Sequence, residues 1–326
     1  LLFPKLLDPK QHCPEASLLS VRRALALVAP VALLLAFAAP SAMAAPPGFA
    51  FLEVPATARG AAMGGAYSAL ARGVDAAFWN PAGLSDVQGT QVSATHIEWI
   101  QGLKHEQFAL AGQLFGGGLA ASLRAMYSQP IDERDDLGNL VGSFGAHDLE
   151  FQLGYGWHAP GGTSWGITSQ AVRERIANEA ATTWSVGAGG IWQPKRFKDV
   201  RVSASANHLG PSARYTVDGQ QGAPVNLPAS LQSGFAVHKA LGKSYSLESS
   251  FEARMTRGRQ AVLAVGGELA STVGASIRMG VREGDDLTNF SAGLGYVVGG
   301  FGVDYAWVPS KLDLGDTHRF SIKASF

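Results

Sequence analysis

The chain is poor in charge and almost free of thiol. Asp, Glu, Lys and Arg make up 16% of its 326 residues, against roughly a quarter in an ordinary soluble domain. The 26 basic and 26 acidic side chains cancel, so there is no electrostatic footprint for nucleic acid. The single cysteine, Cys13, precedes the expected cleavage point. The processed chain would then have no thiol for a disulfide or for nucleophilic catalysis. Downstream of residue 44 no stretch reaches the roughly 18 consecutive apolar residues of a spanning helix. The H-E-x-x-H zinc signature is missing. The reading is therefore of a protein that is not an enzyme and needs no cofactor.

Glycine, by contrast, is plentiful, at 40 residues, and apolar residues reach 46%. High glycine with little charge suits strands whose outer face meets lipid. The N-terminus carries a targeting pattern. Arg22 and Arg23 precede an apolar stretch over residues 24–39, broken by Pro30, and Ala42-Met43-Ala44 forms an A-x-A cleavage site. Three parts are expected: an upstream extension and secretory signal over 1–44, a hatch over 45–89, and a barrel over 90–326.

From Thr90 onward the hydrophobic period is two. Phe151, Leu153, Tyr155 and Trp157 alternate with Gln152, Gly154 and Gly156; Phe301, Val303, Tyr305 and Trp307 alternate with Gly302, Asp304 and Ala306. Side chains of a strand alternate between faces. In a bilayer every backbone N–H and C=O must be paired within the protein, so strands cross only as a closed barrel. The pattern predicts an all-β fold: a closed antiparallel transmembrane barrel of about 14 strands, in the bacterial outer membrane, with outer-membrane lipid as its surroundings. Trp157, Trp184, Trp192, Tyr245, Tyr296 and Trp307 fall near expected strand ends, where barrels carry aromatic girdles.

Connections alternate in length. Residues 128–148, 175–183, 207–228, 282–289 and 308–318 are expected as long loops. Short turns are expected at 115–118, 159–163, 194–199, 240–244, 270–272 and 298–300. Long extracellular loops and short periplasmic turns are the outer-membrane arrangement, and it places both barrel ends on the periplasmic side. Gly116-Gly117-Gly118 is read as a turn. The glycines at 187, 189 and 190 lie within a strand, where they permit close packing against something inside.

Strand parity sends charges of both signs inward: Arg124, Arg201, Arg254, Arg278, Arg282, Arg319 and Lys323, with Glu248, Glu252, Glu268 and Asp304. They line an aqueous path or fill the lumen as paired side chains. The stretch 45–89 is too apolar to sit free in the periplasm. Within it, residues 56–71 show helix-like spacing of Met63, Tyr67 and Leu70, weakened by Gly60, Gly64 and Gly65. Pro81 pushes Asn80 away from helical geometry, and the Asn80 side chain is expected to tie the turn.

Residues 60–84, with the core Asn80-Pro81-Ala82-Gly83-Leu84, resemble the N-terminal signature of the PorV/PorQ group within the FadL-like superfamily of outer-membrane proteins. The resemblance implies fourteen strands with an N-terminal hatch in the lumen. It implies one of two roles. FadL-type members move long-chain fatty acids or other apolar molecules inward. PorV-type members take part in type IX secretion, holding or shuttling exported proteins at the surface. The partner is then a hydrophobic small-molecule ligand or an exported protein. The terminal Phe326 resembles the signal read by the barrel assembly machinery.

Overall fold

The structure, a computed structural model, describes residues 47–326 except Asp218 and Asp313. The expected signal segment, its cleavage site, Cys13 and the first two residues of the expected hatch lie outside the described residues.

Fourteen antiparallel strands close into a barrel. In chain order they are β1 (Thr90–Glu98), β2 (Lys104–Leu114), β3 (Gly117–Tyr127), β6 (Ala146–Ala159), β7 (Thr163–Ile176), β8 (Glu179–Trp192) and β9 (Val200–Leu209). These are followed by β12 (Ser230–Leu241), β13 (Tyr245–Thr256), β14 (Val262–Ser271), β15 (Ala275–Glu283), β16 (Phe290–Val298), β17 (Phe301–Val308) and β18 (Thr317–Ser325). Two hairpins, β4 (Ile131–Arg134) with β5 (Leu140–Phe144) and β10 (Ala213–Val217) with β11 (Gln220–Val225), stand outside the wall. They occupy the two longest connections.

The strands form because their alternation suits a wall with lipid on one side. In β15 the buried positions are Ser276, Arg278, Gly280 and Arg282, while Ile277, Met279 and Val281 are each more than half exposed. Such a pattern is inside-out for a protein in water, where leaving each large apolar side chain wet costs about 1.5–3 kcal/mol. Hydrocarbon outside removes that cost. Trp184 and Trp307 mark one end of the outer surface; Trp157, Trp192, Tyr245 and Tyr296 mark the other. These are the two interfacial belts of a membrane barrel.

Closure is made by β1 and β18, whose register runs from Gln91 opposite Ser325 to Glu98 opposite His318. Beyond it, the Thr90 amide donates to the Phe326 carbonyl at 3.2 Å and the Phe326 amide donates back at 2.9 Å. Closure leaves no strand edge unpaired, which a bilayer requires. Both ends of the barrel lie on the side of the short turns 115–116, 160–162, 242–244, 272–274 and 299–300, the periplasmic side.

One expected long loop is not there. Of residues 175–183 only Ala177 and Asn178 form a turn, and the rest belong to the 14-residue strands β7 and β8. These strands continue past the hydrocarbon band. There the outer face meets water, so Arg173 and Arg175 point outward and the apolar alternation that marks a strand disappears. Gly117 and Gly118 likewise belong to β3; the turn itself is Phe115-Gly116.

The N-terminal segment runs through the lumen. Gly48 donates its amide to the carbonyl of Asn226 at 3.1 Å, in the connection that carries β10 and β11, so the described chain starts at the extracellular mouth. It descends through α1 (Ala58–Ala62) and α2 (Ala76–Trp79) to the six-residue 3-10 turn Pro81–Asp86, and reaches β1 at the periplasmic end. The helix expected over 56–71 is confined to α1. Thr57 caps it by accepting from the Gly60 amide at 3.2 Å. It stops because Gly64 and Gly65 take positive φ values of 70° and 85°, a conformation glycine reaches without strain. The non-helical remainder lets Tyr67 turn back against Trp79, ring centroids 5.4 Å apart at 72°.

Candidate functional site

Two rows of small residues dock the N-terminal segment against the wall. Gly118, Gly156, Gly166 and Gly189 stand opposite one another across β3, β6, β7 and β8. A side chain at any of them would strike residues 80–84. The turn Asn80-Pro81-Ala82-Gly83-Leu84 lies along this trough. Asn80 accepts from the Ala82 amide at 3.1 Å and donates to the Gly190 carbonyl at 3.3 Å, so one side chain closes the turn and ties it to β8. On the far wall Gly266, Gly280 and Ser291 form the second row. Met63 and Gly64 rest on it, and Ser291 accepts from the Gly64 amide and donates to the Ala62 carbonyl, both at 3.0 Å.

The inward charges are largely paired, and a chain of them links wall to segment. Arg59 donates to Glu248 at 2.9 Å and to both oxygens of Glu268 at 2.8 and 2.7 Å. Arg278 bridges Glu268 and Asp304. Lys323 bridges Asp304 at 3.1 Å and Asp75 at 2.7 Å. Arg72 lies 3.8 Å from Glu248, so four acids meet four bases. Buried charges are tolerated when paired in this way.

Elsewhere Arg124 pairs with Glu150 at 3.2 Å and donates to the Leu52 carbonyl at 3.0 Å. Glu252 accepts the amides of Tyr67 and Ser68 at 3.2 and 2.9 Å. Arg201 faces Asp86 at 3.4 Å. All eleven charged residues expected in the lumen face it. Phe326 points outward and meets Phe301 edge to face at 6.4 Å. Arg59, Arg72, Asp75, Asp86 and Glu150 complete these pairs without having been singled out in the sequence. Glu150 carried the parity signal; the four residues of the N-terminal segment carried none.

Above the segment, at the extracellular mouth, lies a cavity of ≈ 490 Å³. Val54, Pro55, Trp99, Ile100, Leu103 and Leu287 give it an apolar lining. Arg254, Arg282 and Arg319 also line it, and each has a buried Nε with no hydrogen-bond partner among the described residues. Arg319 donates to the Pro55 carbonyl at 2.7 Å and lies 5.3 Å from the Trp99 ring. Most apolar members come from the connections 99–103 and 284–289 and from the N-terminal segment, where the sequence has no periodic pattern to announce them.

The same segment, residues 53–55, separates this cavity from one of ≈ 60 Å³ that reaches Asn207 and His208. A volume that small holds a water or two. Beside it the barrel ladder has a register shift, between Val186 and Ala188 of β8 opposite β9. His208 there adopts φ 56°. The paired ladders between the other described barrel strands run without a break. Among the described residues no group of His, Cys, Asp and Glu is placed to hold a metal ion.

A model of an uncharacterised protein family, UPF0164, matches residues 37–157. No curated protein matches the chain. Solved structures match over most of it at low identity. The P. putida toluene transporter TodX aligns with TM-score 0.58 and 13% identity, over 82% of this chain and 97% of that one. The Ralstonia pickettii toluene transporter TbuX gives 0.55 and 14%, over 83% and 98%. A Pseudomonas aeruginosa FadL homologue gives 0.51 and 13%, over 82% and 97%. At such identity the likeness concerns the fold. Together with the closed wall and its apolar outer surface, it makes the chain a β-barrel of the bacterial outer membrane that shares the fold of these proteins.

Proposed function

We propose that the protein is a passive channel for hydrophobic small molecules of fatty-acid-like character, with the extracellular cavity as its entry site. The carrying observation is the ≈ 490 Å³ apolar cavity roofing the N-terminal segment. The volume falls in the range of small-molecule sites, roughly 300–1,000 Å³. Arg254, Arg259, Arg282 and Arg319 outnumber Glu53, Asp285 and Asp286 in its lining, and the Nε atoms of Arg254, Arg282 and Arg319, which lack a hydrogen-bond partner among the described residues, suit a ligand with an acidic end. Residues 52–56 are the gate in this reading. Their displacement joins the entry cavity to the smaller one and to the irregular β8–β9 seam, through which an apolar molecule reaches the membrane.

Purification in mild detergent followed by mass spectrometry tests the reading. A fatty acid or similar amphiphile is expected at near-stoichiometric amount, and lost when Leu103→Arg places a charge in the cavity. An empty cavity, with no uptake of labelled fatty acid by cells expressing the protein, overturns it.

A second reading, the PorV/PorQ-like role of holding an exported protein at the surface, draws on the β4–β5 hairpin. Leu137, Leu140 and Val141 are exposed there, outside the wall and on the extracellular side. Cross-linking from L140C on intact cells separates the two: a specific protein adduct favours this second role.

A further inference from the structure

The periplasmic rim holds a different kind of site. The turn between β8 and β9, residues 193–199, is folded by its own hydrogen bonds. Phe197 donates its amide to Pro194 at 2.9 Å, Val200 to Phe197 at 3.0 Å, and Gln193 to Gly162 of the neighbouring turn at 2.8 Å. The turn is thereby fixed, and it presents Lys195 and Lys198 to one cavity of ≈ 400 Å³. Arg201 reaches the same cavity from the wall, with His158 and Ser164 beside it.

Arg201 is 6% exposed, and its Nε has no partner among the described residues. The carboxylate closest to it, Asp86, lies 3.4 Å from its Nη2 and 3.6 Å from His158 Nε2. Asp86 thus serves Nη2 and leaves Nε without an acceptor. Three cations against one carboxylate leave the cavity with an excess of two positive charges. A buried guanidinium nitrogen without an acceptor is unfavourable. An oxyanion with several acceptor oxygens is the group that satisfies a guanidinium fork and two ammonium groups together.

The level of the cavity narrows the choice. Trp165 and Trp192, on the same strand ends, face outward and are about half exposed, which puts the rim at the membrane–water interface. Phosphate is the oxyanion of that layer.

We propose that Lys195, Lys198 and Arg201 form a periplasmic binding site for a phosphate group, carried by a lipid headgroup or free. The site stands apart from the extracellular cavity and does not depend on what that cavity takes up.

The test uses the full chain. Inorganic phosphate is titrated by calorimetry into protein in phosphate-free detergent, and phosphatidylglycerol retention is measured by native mass spectrometry against diacylglycerol, which lacks the phosphate. Retention of phosphatidylglycerol without inorganic phosphate binding identifies a headgroup site; saturable inorganic phosphate binding identifies a free-phosphate site. K195Q/K198Q changes only exposed side chains and leaves the wall intact. It is expected to weaken binding about tenfold or more, the scale of one lost charge-assisted hydrogen bond. Adding Arg201→Gln is expected to abolish it. Failure to bind either probe, or unchanged binding by K195Q/K198Q, overturns the proposal.

Discussion

Gly166 stands opposite Gly189 in the register of β7 and β8, and the space above the pair is filled by Pro81 and Asn80. The Asn-Pro turn and the glycine row are two halves of one contact. Close approach of backbone to wall is what glycine permits and any other residue prevents.

Gly189→Val is therefore expected to lift the turn from the wall. Overpacking of this kind costs about 1–3 kcal/mol, and the Asn80 hydrogen bond to Gly190 would be lost with it. The check is a lower unfolding temperature on heat-modified gels, with raised conductance in planar bilayers. Gly112→Ala, at a position where an added Cβ meets nothing within 4 Å, should leave both unchanged.

Arg278 joins two acids that no other wall residue connects. Arg278→Met is expected to destabilise the barrel by about 3–5 kcal/mol, because it leaves Glu268 and Asp304 less fully compensated in a buried site. Arg134→Met, in the exposed hairpin pair with Asp132, should cost at most about 1 kcal/mol. Urea unfolding of the two variants in the same detergent measures the difference.

Trp79 packs on Tyr67, covers Gly60 and donates its indole N–H to Thr57 at 3.2 Å. Trp79→Ala empties this junction inside the segment and should cost about 3–5 kcal/mol. Limited proteolysis reads the outcome: cleavage within residues 57–79 should appear in the variant and be absent from the parent.

The threading of the segment has its own test. Ala50 lies at the extracellular mouth and Gln88 at the periplasmic end, and both are exposed. In intact cells a membrane-impermeant maleimide should label A50C, and label Q88C only after the outer membrane is permeabilised. The reverse pattern would contradict the path of the chain.

The alternation of residues such as Phe151, Leu153 and Tyr155 with Gln152, Gly154 and Gly156 made the barrel legible in the sequence. A two-residue period has few physical solutions when one side is hydrocarbon and unpaired backbone is forbidden. The same parity placed Arg278, Asp304 and Lys323 in the lumen. It failed at Arg173-Glu174-Arg175, where the strand leaves the bilayer and water on both sides erases the contrast.

Only the tertiary structure decided which charges meet. Arg59 reaches Glu248 and Glu268 across separations of 189 and 209 residues, and nothing local encodes such a distance. Nor did Gly118, Gly156, Gly166 and Gly189 declare themselves a row, since that depends on the register of four strands. The extracellular cavity belongs to the same class. Its walls come from connections and from the threaded segment, which acquire a common surface only when the barrel has closed around them.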